Sequence, residues 1–321
     1  MVFFQHGLTD DSSGVCLNQP SNSLVFWLAD MGYDVWLGNN RGNGVSMTNK
    51  KYTSNQDGFW DFTWSEMGEF DLPAQIDYVL AKTGVKKLSY IGHSEGTIQA
   101  FSGFSSNHAL AQKVDVYIAL APIAFVKHVE VLILQILAGF SIEKIFGLLG
   151  LQEFWVPTAI HKILPGVCWL LSYVCEFVLM ALSGPFPGLD RSKLSFWLDY
   201  EPNPTSVKNM AHWSQGVRDG TFGMFDYGAS GNMQHYGQRY PPQYNISNWP
   251  SALPVALFAG SKDYLGDPRD VETLIQLLPR PFVHYETDFG HLDFILGQNT
   301  HRIFPSVLSY LATYNKGWNA K

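Results

Sequence analysis

The chain has 321 residues, enough for one large domain or two modest ones, with 46% apolar, 15% aromatic and only 15% charged residues. That aromatic-rich, charge-poor composition excludes a disordered chain. The net charge of -7, with adjacent basic pairs only at Lys50-Lys51 and Lys86-Lys87, leaves no basic footprint for nucleic acid.

VFFQHG (2–7) reads as a strand, rich in Val and Phe. Ser21 or Ser23 caps a helix through LVFWLADM that Gly32 stops, and YDVWLG (33–38) is the next strand. Ser65 to Lys82 carries apolar residues near helical spacing, and Pro73 marks a kink or a late start before Gly84 ends it. KKLSYIG (86–92) is a strand, TIQAFSGF a helix and VDVYIALAP (114–122) another strand. This alternation predicts a parallel sheet covered on both faces. It then breaks. Residues 125–240 read as helical stretches with little strand signal, loop-like from about Gly216 to Pro242. The alternation resumes with LPVALFAG (253–260), a helix in DVETLIQLL, a strand in PFVHYET and a last helix near IFPSVLSYLATY. The expected organisation is an α/β core in two parts, 1–124 and 241–321, interrupted by a helical insertion at 125–240. Long insertions on a scaffold often carry function.

Within that insertion, Val167 to Ser183 (VCWLLSYVCEFVLMALS) is apolar but at the short end for a membrane span and contains Glu176. It reads as one buried or lipid-facing helix. On one helix Cys168 and Cys175 share a face but stand roughly 10 Å apart, too far for a bridge unless the helix breaks. With Cys16 they read as buried apolar cysteines. No CxxC, HExxH or spaced histidine set signals a metal, and no cofactor motif is present; Gly42-Asn43-Gly44 lacks the frame of a dinucleotide fingerprint. The opening MVFFQHG carries no signal-peptide pattern.

The strongest chemical signal is Gly92-His93-Ser94-Glu95-Gly96, a G-x-S-x-G between a strand and a helix. Such a turn strains the serine backbone and leaves no room for side chains at the flanking glycines. It stands Oγ above the sheet at a helix N-terminus, where negative charge is favoured. The partners of a nucleophile elbow follow in the order acid, then histidine, on loops after later strands. Asp263 lies just past LPVALFAG and His291 just past FVHYET. Ser94, Asp263 and His291 are therefore the expected catalytic triad. Asp267 and Asp270 flank Pro268 and read as helix caps; Asp288 and Asp293 are further rival acids, and His284 and His301 read as structural. The oxyanion donors are expected to be the backbone N–H groups of Glu95 and of Leu8, in the turn after the first strand. His6, in that turn, reads as a buried structural histidine.

Over essentially the whole chain, QHGL, LADMGYDVWLGNNRGN, DLPAQIDYVL, YIGHSEGT, ALAPIA, HWSQ, YNIS, GSKDYLGDPRDV and GHLDF resemble, in order, the acid lipase family of gastric and lysosomal lipases within the α/β-hydrolases. The resemblance implies the same triad and oxyanion donors, and a helical cap with a mobile lid. It also implies hydrolysis of triacylglycerols or sterol esters at a lipid–water interface, with peripheral contact to membrane or lipid droplet, no obligate protein partner, and a secreted or lysosomal/vacuolar setting. In that setting Asn245, in the sequon Asn245-Ile246-Ser247, is a glycosylation acceptor. Relative to the family, the chain starts at the QHGL strand and so looks N-terminally truncated, Glu95 replaces a usual Gln, and the Cys168/Cys175 spacing does not clearly reproduce a cap disulfide. The same triad would serve a short-chain esterase or thioesterase, and a truncated chain would also suit an inactive lipid-binding remnant.

Glu95 poses a physical problem. At ~6 Å and an effective dielectric near ~20, an ionised carboxylate would oppose a developing oxyanion by about 3 kcal/mol, roughly a hundredfold in rate. It is expected to be protonated, or turned away and held by a hydrogen-bond donor.

Overall fold

A computed structural model describes residues 1–139, 151–154, 156 and 158–315. Among these residues six strands form one parallel sheet in the order β2-β1-β3-β4-β7-β8. They are β1 (Val2–Gln5), β2 (Val35–Leu37), β3 (Leu88–His93), β4 (Val114–Leu120), β7 (Val255–Gly260) and β8 (Phe282–Glu286). The long apolar runs fall where they must. Every residue of β1, β3 and β7 is buried, as a sheet covered on both faces requires.

The longer helices before the insertion are α1 (Leu24–Asp30), α2 (Leu72–Thr83) and α3 (Glu95–Ser106). Ser23 precedes α1 but makes no side-chain cap; its hydroxyl donates to Val15 O at 2.8 Å. Pro73 sits in the first turn of α2, and a helical turn capped by Thr63 and Glu66 leads into it through a π-helical turn, Met67–Asp71. The chain is thus helical from Trp64 to Thr83, and the proline follows an irregular π-helical turn inside that run instead of marking a late start.

Between β4 and β7 lie α4 (Leu132–Gly139), α5 (Thr158–Leu170), α6 (Ser172–Ser183), α7 (Val207–Asp219) and α8 (Gly228–Tyr236), with a two-residue antiparallel pair, β5 (Glu153–Phe154) against β6 (Thr205–Ser206). Three expectations are corrected here. The apolar stretch 167–183 is not one helix: it breaks at Leu171, and α5 and α6 meet at a bend of 120°. That break brings the Cα atoms of Cys168 and Cys175 to 5.6 Å, and the two form a disulfide, so they are not free apolar cysteines. The segment expected to be loop holds α8, which is seated through Tyr227 N–H to Asn232 Oδ1 and Tyr236 OH to Phe225 O. Among the described residues no single helix is long and apolar enough to cross a membrane.

The chain ends with α9 (Pro268–Leu277) and α10 (Phe304–Tyr314). Two apolar clusters cover the two sheet faces, one around Tyr90, Tyr117 and Phe104, the other around Phe258, Phe289 and Phe294.

Candidate active site

Ser94 sits between β3 and α3 with φ 53° and ψ -119°, a left-handed conformation for a non-glycine residue. The flanking glycines make this turn feasible. A Cβ at Gly92 would lie 2.7 Å from Gly96 O, and one at Gly96 would lie 2.5 Å from Gln5 O. The strain is held by a fully buried frame. Ser94 N–H donates to Leu120 O at 3.1 Å, Thr97 Oγ1 to Ser94 O at 2.6 Å, and Tyr90 OH to Gly96 O at 2.8 Å. Burial pushes the Tyr90 and Tyr117 hydroxyls well above their ordinary range, so both remain neutral struts.

Asp263 and His291 arrive from the loops after β7 and β8, at the same sheet edge. Ser94 Oγ is 2.6 Å from His291 Nε2, and His291 Nδ1 is 2.9 Å from both oxygens of Asp263. All three side chains are buried. Asp263 Oδ1 also accepts from Leu265 N–H at 3.0 Å and Gly266 N–H at 2.7 Å, which fixes the carboxylate plane. With the carboxylate on Nδ1–H, Nε2 is left to accept from the serine hydroxyl.

The rival acids fall elsewhere. Asp267 caps α9 through Arg269 N–H, and Asp270 accepts from His128, so only the first is a cap as expected. Asp288 is exposed and pairs with Lys262 at 3.4 Å. His284 pairs with Glu286 and His301 with Asn22.

Three supporting residues escaped sequence reasoning or were underrated. His93 is buried, and its Nε2–H donates to the carbonyl of His291 at 3.2 Å. Burial and the neighbouring His291 lower its pKa to about 3, so it is a neutral brace. His6 accepts Asn40 N–H on Nε2 at 3.1 Å while its Nδ1 lies 2.8 Å from Gly7 O. It thereby shapes the turn that carries Gly7 and Leu8, where a Cβ on Gly7 would lie 3.0 Å from Ser94 Cβ. Asp293 accepts Gly188 N–H at 2.8 Å and Gly290 N–H at 2.7 Å, tying the segment after α6 to the His291 loop. Glu95 begins α3, so its N–H has no partner within the helix.

A parallel sheet with a nucleophile elbow and a Ser–His–Asp relay at its carboxyl edge defines a serine-hydrolase-type α/β-hydrolase. A family described as alpha/beta hydrolase fold matches residues 1–141. Human gastric triacylglycerol lipase is 38% identical over 98% of this chain and 80% of its own length. Human lipase member K is 39% identical over 98% and 79%, and the tear acid lipase-like protein of Mesocricetus auratus is 36% identical over 97% and 79%. A solved carboxylesterase of Nitrososphaera gargenis superposes with a TM-score of 0.58 at 14% identity, over 99% of this chain and 91% of that one; this likeness concerns the fold alone. The chain belongs to the acid lipase family of the gastric and lysosomal type, and it is a carboxylic-ester hydrolase.

Proposed function

We propose that the protein is a lipase that cleaves triacylglycerols or sterol esters through an acyl-enzyme on Ser94. The observation that carries this reading is the hydrogen-bonded relay of 2.6 Å and 2.9 Å at a strained elbow. His291 Nε2 takes the Ser94 proton as Oγ attacks the ester carbonyl, and Asp263 stabilises the imidazolium. The oxyanion is received by the N–H groups of Leu8 and Glu95. His291 then returns the proton to the leaving alcohol. Water activated by His291 releases the fatty acid and restores Ser94.

Residues 125–240 act as a cap over this site. Its α5–α6 hairpin exposes Trp169 by 78%, Phe177 by 74% and Leu170 by 73%, an apolar patch of the kind that marks contact with lipid. The relatives named as triacylglycerol lipase and acid lipase support a greasy ester over a short-chain one, and a secreted or lysosomal setting. In that setting the exposed Asn245, whose side chain turns back to Ser247 N–H, is an acceptor for N-glycan.

The test is hydrolysis of a triacylglycerol emulsion and of a soluble short-chain ester by wild type, Ser94→Ala, His291→Ala and the double variant. Each single change is expected to remove most activity on both substrates, and the double variant to be little worse, because the residues act as a unit. Additive losses refute the triad. Activity confined to the soluble ester makes the protein a short-chain esterase.

A further inference from the structure

Glu95 is 2% exposed, although it adjoins the nucleophile and carries a carboxyl group. Its Oε2 accepts from Asn209 Nδ2 at 2.7 Å and from Trp213 Nε1 at 2.8 Å, both on cap helix α7. Neither donor can reverse. The indole N–H only donates. The Asn209 amide is oriented by Trp64 N–H, which donates to its Oδ1 at 2.7 Å. Oε2 must therefore act as a double acceptor. The other oxygen, Oε1, accepts from Gln99 Nε2 at 3.4 Å, and the same Nε2 also faces Met67 Sδ at 3.2 Å. All three partners are neutral donors, and the carboxyl group is closed off from solvent, so burial sets its cost of ionising against these donors.

The surrounding charges have other partners. Lys208 on α7 pairs with Asp61 and Tyr227 OH, and His212 on α7 is bonded to Gly223 O and, by burial, titrates near 3. In the turn before α2, Glu66 is held by Thr63, Asp71 pairs with Arg41, and Glu69 is raised by burial. From the β1 loop, His6 is bonded to Asn40 and Asp10 to Glu201. Beside Ser94, His93 and the His291–Asp263 pair are mutually engaged. No cation is a direct partner of Glu95 among the described residues.

We propose that Glu95 is a positioning residue of the oxyanion hole: its carboxyl group, anchored to Asn209 and Trp213, ties the nucleophile elbow to the cap and serves catalysis in its uncharged form. This rests on the reading of Ser94 as the nucleophile. Uncharged, Glu95 holds its own N–H in place by way of α7 and sets no charge against the oxyanion. Ionised, it opposes that charge and offsets the field of the α3 N-terminus. Burial pushes this carboxyl up to about 7, against the pull of its three donors. The favourable form is thus complete in acid, and its contribution is lost as pH rises through about 7.

The test compares wild type, Glu95→Gln, Glu95→Ala and Trp213→Phe in two measurements. The first is kcat/KM on p-nitrophenyl butyrate from about pH 5 to about pH 9, which reports ionisations of the free enzyme. Wild type is expected to fall by roughly tenfold along an alkaline limb near neutrality, the donors having screened the repulsion. Glu95→Gln is expected to lose that limb. Trp213→Phe, by removing a donor that favours the ion, is expected to move it to higher pH, which a merely structural role would not do. Glu95→Ala leaves Trp213 Nε1–H without its acceptor and Asn209 Nδ2 with only Thr205 Oγ1 at 3.2 Å, and is expected to lose rate at every pH. The second measurement is Tm against pH, which needs no catalysis. Wild type is expected to lose more Tm than Glu95→Gln between about pH 4.5 and about pH 7.5. Superimposable Tm profiles for wild type and Glu95→Gln overturn the inference, as do rate profiles that superimpose or a Glu95→Ala enzyme that behaves as Glu95→Gln does. A wild type that neither hydrolyses esters nor is labelled at Ser94 by a fluorophosphonate refutes the nucleophile assignment, and the Tm comparison still decides how Glu95 ionises.

Discussion

Replacing Asp263 by Asn tests the proposed relay at the point where its geometry is most constrained. Oδ1 accepts two backbone N–H groups, from Leu265 and Gly266. An asparagine that turned its amide nitrogen towards them would lose both bonds, about 1 kcal/mol each, and leave two buried donors facing N–H groups. The amide oxygen therefore takes the Oδ1 position, and the nitrogen takes the Oδ2 position, 2.9 Å from His291 Nδ1. There it donates to Nδ1, which favours the tautomer with hydrogen on Nε2. That tautomer cannot accept the Ser94 proton. A second loss adds to the first: the imidazolium formed during attack no longer faces a charge. At ~3.5 Å and an effective dielectric near ~20 that attraction is about 5 kcal/mol, an upper figure for a pair that also adjusts its neighbours. Taking the two together, the expected cost is about 4 to 5.5 kcal/mol, a fall in kcat/KM of roughly a thousandfold to ten-thousandfold. Initial rates on a p-nitrophenyl ester, with circular dichroism and Tm as controls on folding, check it. A loss of under about tenfold in a folded Asp263→Asn protein would refute the role given to this carboxylate.

Two further outcomes are expected. Cys175→Ser should release the α5–α6 elbow: the bridge closes a short loop worth about 2.5 kcal/mol of chain entropy, so limited proteolysis between Trp169 and Val174 should accelerate while hydrolysis of a soluble ester persists, and unchanged cleavage would contradict this. Asp293→Ala should strip the acceptors from Gly188 and Gly290 N–H, costing about 2–4 kcal/mol for two buried donors. Because burial pushes Asp293 up to about 6 from 3.8, its contribution is full below about pH 4 and lost as pH rises through about 6. The Tm gap between wild type and Asp293→Ala should therefore narrow across that interval, and a constant or widening gap would count against it.

The relay was legible because parallel strands deliver successive loops to one edge. A serine, an acid and a histidine just past β3, β7 and β8 must meet there, however far apart they lie in sequence. What braces them was not legible. His93 reads as a free position within G-x-S-x-G, and its bond to the His291 carbonyl spans 198 positions. Asp293 is one acid among several in the sequence, and only the fold brings Gly188 N–H to it. The insertion was harder for a different reason. Periodicity in 167–183 is uniform enough to read as one helix, and nothing in Leu171 itself announces a break. Helix α8, with two glycines and no apolar stripe, forms because Asn232 and Tyr236 bond outside it, which local pattern cannot register. The Glu95 problem was legible as a conflict, and the structure meets it with donors from α7.

The seam between core and cap shares one electrostatic habit. Glu95 reaches α7, Asp293 reaches Gly188, and Asp10, in the turn beyond Leu8, meets Glu201 near the donation of Asn203 N–H to Thr9 O at 2.7 Å. Glu95 and Asp293 are bonded by neutral donors, and Asp10 and Glu201 by each other, with burial raising all four carboxyls above their ordinary values. A cation at any of these places would hold the carboxylate ionised and make the seam insensitive to acid, or favour higher pH. Neutral donors favour the ion more weakly, and here burial, which penalises the charged form, outweighs them. The sign is therefore common to the three ties: protons strengthen the junction, and rising pH adds negative charge to a largely buried seam. The cap should be most firmly seated in acid, where Glu95 also sets least charge against the oxyanion.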